Sequence, residues 1–283
     1  MTTGILTLAC PDRPGLVHAV SGFLVDQRAN IVESAQFGDP QTERFFMRCR
    51  FDLAAAGPDL ADVRAGFPAV ANPLGMTWDL VDATTPTRTL ILASRLGHCL
   101  NDLLYRARAG MLPIEIPAVV SNHDDLRPLV EAAGIPYHHV PVTAATKPEA
   151  EAVLLDLVRD LDVDLVVLAR YMQVLSDDAC TALAGRAINI HHSFLPAFVG
   201  AKPYHQAYDR GVKLIGATAH YVTPELDEGP IIEQDVARVD HALEPEALAT
   251  AGHDVEAQVL ARAVRWHAER RVLLNGHRTV VVR

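Results

Sequence analysis

From residue 89 onward, short apolar segments rich in β-branched residues alternate with segments whose apolar residues recur at helical spacing. The strand candidates are Thr89–Ser94, Ile116–Ser121, Leu165–Ala169 and Ala187–His191, and the helix candidates between them are Leu100–Arg108, Asp124–Ala133 and Pro148–Leu161. This alternation is typical of a parallel sheet with helices on both faces, because parallel strands need long crossover connections. We therefore expect an α/β unit in this part of the chain.

The last third of the chain departs from this alternation. Lys213–Val222 and Ile231–Val239 are separated only by a loop, which indicates antiparallel strands added to the sheet. Pro245–Arg271 is predicted to be a long helix and Thr279–Arg283 a terminal strand.

The first 83 residues have a different pattern. Strand candidates and helix candidates follow in the order β-α-β-β-α-β: Gly4–Ala9, Leu16–Asp26, Asn30–Phe37, Phe45–Leu53, Pro58–Val70 and Met76–Val81. This order in so short a segment is typical of a ferredoxin-like fold. A polar junction with a proline, residues 84–87, then separates two predicted domains, 1–84 and 85–283.

Composition limits the partners of the chain. The formal net charge is −10, so we expect no nucleic-acid binding through phosphate neutralisation. The four cysteines are far apart in sequence, which favours reduced, buried thiols over disulfides. No signal peptide and no apolar segment of membrane-spanning length is evident, so the sequence predicts a cytoplasmic protein with no membrane partner.

The densest polar cluster is Asn189–Ser193, at the end of a predicted strand. Residues two apart in a strand share a face, so Asn189 and His191 are expected to face one site, with Ile190 and His192 turned away. An amide and an imidazole on one face suit a carbonyl that gains negative charge during attack, and ligands of open α/β sheets bind at this end of the strands.

A carboxylate beside the histidine would orient it, and the loop after the next strand offers Glu225, Asp227 and Glu228. The residue pattern does not choose among the three. The histidine spacings match no zinc signature, and no glycine-rich nucleotide loop or serine-hydrolase motif occurs, so we expect no metal and no nucleotide cofactor.

Residues 188–235, which begin INIHHSFLPAF, resemble the folate-dependent formyltransferase family. The resemblance implies a Rossmann-like, mostly parallel formyltransferase domain with Asn189, His191 and Asp227 as catalytic residues. It also implies a folate pocket formed by the segment after a central strand and by the loop that carries the aspartate. The implied substrate-binding residues are Met172, Gln173, Val174, Leu175, His220, Thr223 and Glu225.

The segments HCLNDLLYR (98–106), VVSNHDDLRPLV (119–130) and LARYMQVLS (168–176) resemble the branch of that family that hydrolyses 10-formyltetrahydrofolate. The resemblance implies a folate substrate, no cofactor and water as the acceptor. The N-terminal CPDRPGLV segment resembles ACT domains, which implies a regulatory unit, an amino-acid effector near Gly15 and Asn30, and a homo-oligomer. Ala29 departs from the ACT pattern, in which glycine is common before this asparagine.

Transferase members of the family hold the phosphate of their acceptor with a glycine-rich loop, where this chain has residues 94–101. Larger side chains here are expected to fill the acceptor site and leave water as the nucleophile. Two alternatives remain at this point: formyl transfer to an amine, and a folate-responsive or amino-acid-responsive regulator without activity. The intact set of Asn189, His191 and Asp227 argues against the regulator.

Overall fold

The computed structural model describes residues 2–195 and 203–283, and it divides into two units. Unit 1 comprises residues 1–86 and 269–283, and unit 2 comprises residues 87–268. The sequence analysis assigned residues 269–283 to the second domain, whereas in the structure they group with the first. No helix within the described ranges is long and apolar enough to cross a membrane.

Unit 1 has the predicted ferredoxin-like βαββαβ order. Its elements are β1 (Thr2–Pro11), α1 (Leu16–Asp26), β2 (Ala29–Asp39), β3 (Arg44–Leu53), α2 (Leu60–Gly66), α3 (Pro68–Ala71) and β4 (Thr77–Asp82). The antiparallel sheet has the order β2-β3-β1-β4. Alternate residues of the central strands, such as Leu6, Leu8 and Phe51, are buried in one apolar cluster with α1 and α2, as expected for a sheet covered on one face.

A C-terminal hairpin of β13 (Val272–Asn275) and β14 (Arg278–Val281) also belongs to unit 1. Its grouping follows from side-chain bonds to β2. Asn275 Nδ2 donates to Asp39 Oδ2 at 2.6 Å, and Arg271 Nη1 donates to Glu33 Oε1 at 2.8 Å. The sequence pattern contained no sign of these pairings, because they join residues more than 200 positions apart.

Unit 2 is built on one large sheet, and the mostly parallel α/β prediction is confirmed. Its strands are β5 (Thr87–Ala93), β6 (Ile114–Glu115), β7 (Val119–Ser121), β8 (Tyr137–His139), β9 (Leu165–Leu168), β10 (Ala187–His191), β11 (Leu214–Tyr221) and β12 (Ile231–Arg238). Its helices are α4 (His98–Arg108), α5 (Arg127–Ala132), α6 (Lys147–Asp160), α7 (Asp177–Ala182), α8 (Pro203–Asp209) and α9 (Pro245–Ala268). The strand order is β12-β11-β10-β9-β5-β7-β8, with β6 beside β5.

The direction of the strands changes within this sheet. Strands β10, β9, β5, β7 and β8 run parallel, and β11 and β12 are antiparallel, as expected from the short loop between them. Side chains of β5 and β9 pack against α6 and α7 in one apolar cluster, and α9 packs on β10 to β12 and on α4. The ends of β9 and β10 therefore lie at one edge of the sheet, next to the start of the antiparallel part.

Candidate active site

A cavity of about 300 Å³ opens where β9 and β10 end. Three segments line it: the residues that follow β9, the end of β10, and the loop between β11 and β12. The residues after β9 contribute 170–175, the end of β10 contributes 189–192, and the loop contributes 222–224, 226 and 227. His220 of β11 also lines the cavity. The lining is mostly apolar with a few polar groups on one side, as is usual for small-molecule sites.

The polar side of the cavity is formed by two paired strands. Asn189 on β10 lies directly opposite His220 on the antiparallel strand β11. His220 Nδ1 lies 2.9 Å from the carbonyl oxygen of Tyr221 and donates to it, which leaves Nε2 as an acceptor in the neutral ring. Asn189 Nδ2 donates to this Nε2 at 3.3 Å. This pairing uses one N–H of Nδ2, and among the described residues the second N–H has no hydrogen bond.

Asp227 is the carboxylate that contacts the catalytic histidine of the prediction. Its backbone is in the left-handed region at φ 59°, and its Oδ2 lies 3.1 Å from His191 Nδ1. Oδ1 lies 3.7 Å from His220 Nε2. The hydrogen bond from His191 holds the pKa of Asp227 well below its usual range, so this carboxyl is ionised at neutral pH. Of the three carboxylates that the sequence offered, Glu225 and Glu228 are exposed.

The second ring nitrogen of His191, Nε2, indicates where a ligand binds. With Nδ1 paired to Asp227, the buried Nε2 has no hydrogen-bond partner among the described residues. Buried polar atoms are nearly always paired, and an exception calls for a functional explanation. Because His191 lines the cavity, Nε2 is available to a bound molecule.

The alternation rule was wrong for His192, which also lines the cavity, as does Ile190. The strand ends at His191, so the regular change of face ends there too. Burial, together with the positive charge of Arg170, lowers the pKa of His192 from 6.5 to about 4. This histidine is therefore neutral near neutral pH.

Most residues predicted to bind the substrate line the cavity: Met172, Gln173, Val174, Leu175, His220 and Thr223. Glu225 does not line the cavity. Its backbone carbonyl oxygen accepts a hydrogen bond from Thr223 Oγ1 at 3.0 Å. Tyr171 and Leu226 also line the cavity, and both lie within the two segments that the resemblance implies for the folate pocket.

In the segment 94–101, predicted to fill an acceptor site, Ser94 and His98 make buried or partly buried polar contacts. Ser94 Oγ donates to Asn122 Oδ1 at 2.7 Å and accepts from the backbone N–H of Met172 at 2.9 Å. The first of these bonds joins the ends of β5 and β7, and the second connects β5 to the cavity wall. His98, at the start of α4, lies 2.7 Å from Glu256 Oε2 on α9.

His98, His253 and Glu256 are the one group among the described residues with three potential metal-ligating atoms within 4.8 Å of one another. The Glu256 carboxylate is already engaged, since Tyr204 donates to Oε1 at 2.5 Å and the Arg170 guanidinium lies 3.3 Å from Oε2. A cation at this distance disfavours a metal ion at the same oxygen. The two imidazoles also stack face to face at 4.1 Å rather than converging on one point.

The predicted effector residues lie in unit 1. Gly15 caps the start of α1 with φ 93°, in the left-handed region that favours glycine, and Asn30 lies near the start of β2. Their role in binding an effector stays a prediction.

The chain is similar to known proteins over all or much of its length. The formyl transferase family model matches residues 87–264. The formyltetrahydrofolate deformylase of Corynebacterium sp. (strain P-1) is 54% identical over 280 residues, which is 99% of this chain and 98% of that protein. The crystal structure of formyltetrahydrofolate deformylase from Burkholderia mallei matches with a TM-score of 0.96 and 51% identity, covering 100% of both chains.

A transferase structure matches a smaller part of the chain. Glycinamide ribonucleotide transformylase 1 from Symbiobacterium toebii has a TM-score of 0.66 and 32% identity, and covers 72% of this chain and 98% of its own. Similarity to the deformylases thus extends over the full length, whereas similarity to this transferase does not.

Proposed function

The chain belongs to the formyltetrahydrofolate deformylases of the formyl transferase family, and on this premise we propose how its cavity carries out the reaction. The protein hydrolyses 10-formyltetrahydrofolate to formate and tetrahydrofolate, which supplies formate for one-carbon and purine metabolism and balances the folate pool. Formyl transfer to an amine is the less favoured alternative, because the full-length relatives are deformylases.

The observation that carries the mechanism is the buried Nε2 of His191, unpartnered among the described residues beside the cavity. We propose that protonated His191 donates from Nε2 to the formyl oxygen, while the free N–H of Asn189 donates to the same oxygen. Two preorganised donors aimed at a developing oxyanion stabilise the transition state more than the ground state. The ionised Asp227 accepts from His191 Nδ1 and thereby fixes the direction of the ring.

The bonds balance as a hydrolysis. The oxygen of a water molecule attacks the formyl carbon, and the resulting tetrahedral adduct breaks its bond to N10. One proton from the water passes to N10, with Asp227 and His191 as the groups that relay it, and formate leaves with a proton released to solvent. No redox step occurs, and the side chains named here supply the donors and the proton relay. We propose that the enzyme needs no metal and no cofactor other than its folate substrate.

Residues 171–175 and the 222–227 loop are proposed to hold the pterin. Met172, Val174 and Leu226 are more than half exposed, and these apolar side chains offer surface that a flat ring system covers on binding. His220 is proposed to orient Asn189 in addition to contacting the substrate. Glu225 is proposed to act only through its backbone carbonyl.

Unit 1 is proposed to be an ACT-like regulatory domain that binds an amino acid near Gly15 and Asn30 and pairs with a second copy of the chain. The support is its βαββαβ order and the left-handed Gly15 at the start of α1. A cytoplasmic location is proposed from the sequence.

The test of the main proposal is product analysis. Purified protein is incubated with 10-formyltetrahydrofolate and a chelator, without an amine, and formate and tetrahydrofolate are quantified over time. Equal amounts of both products at multiple turnovers are expected. Turnover that requires an added metal would contradict the metal-free mechanism, and turnover that requires an added amine would replace hydrolysis with transfer.

A further inference from the structure

The carboxylate of Glu256 is fully buried in unit 2 and lies outside the lining of the cavity. His98 Nε2 lies 2.7 Å from Oε2, Tyr204 donates to Oε1 at 2.5 Å, and Arg170 Nε lies 3.3 Å from Oε2. Burial alone would raise the pKa of Glu256, but the hydrogen bond from His98 and the charge of Arg170 lower it, so the group is ionised. A buried charge of this kind is retained at a large cost in desolvation, which invites a functional explanation.

Arg170 connects this buried carboxylate to the cavity. It is 7% exposed, follows the end of β9 after one residue, and is the first residue of the wall formed by residues 170–175. Its φ is 63°, in the left-handed region that residues other than glycine avoid. An unfavourable backbone conformation persists only where surrounding contacts hold it.

The rest of the wall is held at two further points by buried or partly buried bonds. Ser94 Oγ accepts from the backbone N–H of Met172 at 2.9 Å, and Glu151 Oε1 accepts from that of Ser176 at 2.8 Å. These bonds fix the middle and the far end of the wall. At the near end of the wall, where the chain leaves β9, the ion pair between Arg170 and Glu256 attaches the wall to the rest of unit 2.

We propose that Glu256 is a positioning residue for folate binding, which holds the Arg170 guanidinium and thereby keeps the left-handed turn from which the wall of the cavity begins. His98 and Tyr204 orient the carboxylate for this task from the other two sides. Glu256 touches neither the substrate nor the reacting atoms, so its loss affects binding more than chemistry. The inference rests on the proposed function only in that folate is the ligand of the cavity.

The first test compares Glu256→Gln with the unmodified enzyme. We expect KM for 10-formyltetrahydrofolate to rise by about 5- to 30-fold, as one to two kcal/mol of lost positioning implies, with kcat changed less than about threefold. The matched control is Glu233→Gln, which removes a second buried carboxylate of unit 2 that pairs with an arginine, Arg262 at 3.7 Å, away from the cavity lining. Its KM should stay at the unmodified value.

The second test separates the backbone effect from a general loss of stability. Arg170→Gly loses the ion pair but adopts the left-handed turn freely, whereas Arg170→Ala loses the pair and resists the turn. We expect a higher KM for Arg170→Ala than for Arg170→Gly. In Arg170→Gly, adding Glu256→Gln should raise KM no further, because the partner of Glu256 is already absent.

Calorimetry of tetrahydrofolate binding to the same variants tests the positioning role separately from the proposed hydrolysis. If the unmodified protein releases no formate, the proposed function fails, and the order of the tetrahydrofolate affinities still tests the positioning role. Equal KM or Kd for the glycine and alanine variants would overturn the inference. The inference would also be overturned if Glu256→Gln and Arg170→Gly raised KM multiplicatively in the double variant. A fall in kcat for Glu256→Gln at unchanged KM would overturn it as well.

Discussion

His191 Nδ1 and Asp227 Oδ2 lie 3.1 Å apart, although one residue ends a strand and the other comes from the loop between two later strands. The contact has a direct consequence for each partner. The imidazole keeps the pKa of the Asp227 carboxyl far below its usual range, and the carboxylate fixes the proton of Nδ1. Nε2 is then the nitrogen of His191 that has no partner among the described residues, and His191 lines the cavity.

Substitution of Asp227 by asparagine should separate catalysis from binding. The amide keeps the size of the side chain but cannot stabilise a charged His191, so we expect kcat to fall by about 100- to 1000-fold or more. KM should change little, because the pterin contacts remain. The control is Glu228→Gln, an exposed neighbour in the same loop, which should keep the kcat of the unmodified enzyme. Near-normal kcat in Asp227→Asn would remove this carboxylate from the mechanism.

The two proposed oxyanion donors should act as a unit. His191→Ala and Asn189→Ala each remove one donor and should each lower kcat by about 100- to 1000-fold. The double variant should lose less than the product of the two single effects, since a donor pair that works on one oxygen is not additive. Rapid-quench measurement of formate under single turnover checks this. Fully multiplicative losses would indicate that the two side chains act on different steps.

The sequence predicted the fold well, because the order of strands and helices depends on local periodicity. Asn189 and His191 on β10 both line the cavity, but the two-residue spacing did not separate them from Ile190 and His192, which line it as well. The pattern did not choose among three carboxylates, because the choice depends on a left-handed backbone at Asp227, and only the resemblance singled it out. Short elements such as β8, with three residues, carry too little periodicity to be predicted.

The Glu256 network was not predictable from sequence at all. Its members come from α4, the residues after β9, α8 and α9, and nothing in their local pattern distinguishes them from solvated charges. The sequence predicted a long helix at Pro245–Arg271, and the structure has this helix at Pro245–Ala268. The sequence pattern did not indicate which face of the helix holds a buried carboxylate.

The lowered pKa of His192 predicts a specific loss of stability in acid. The folded-state pKa of about 4 is below the ordinary 6.5, so the unfolded chain takes up the proton first as pH falls between these values. The contribution of His192 is therefore fully present above about pH 6.5 and declines towards pH 4. His192→Asn lacks it, so its melting temperature should fall less steeply from pH 7 to pH 4.5. Parallel curves for the two proteins, measured by circular dichroism, would contradict the lowered pKa.

Gly229 should be intolerant of a side chain even though its φ is not positive. A Cβ at this position would meet the carbonyl oxygen of Tyr221 and lie 3.1 Å from His220 Nδ1. Backbone atoms cannot move aside cheaply, so Gly229→Ala should shift the loop that carries Asp227 and destabilise the protein by about 1–3 kcal/mol. We expect kcat to fall at least tenfold, which is about 1.4 kcal/mol in the barrier. Urea unfolding and steady-state kinetics check the two effects separately, and unchanged kcat would show that the loop does not depend on this close approach.

Gly252 offers a test of how tightly the Glu256 network is packed. Glycine to alanine in a helix interior normally stabilises by up to about 1 kcal/mol, since alanine restricts the unfolded chain. Here a Cβ on α9 would overlap the ring and hydroxyl of Tyr204, which donates to Glu256. Gly252→Ala should therefore lower the melting temperature and raise KM, because Tyr204 is pushed away from the carboxylate. In a Tyr204→Ala background the obstacle is gone, and the same substitution should raise the melting temperature instead. If Gly252→Ala destabilised both backgrounds equally, the close packing of Tyr204 on α9 would not be the cause.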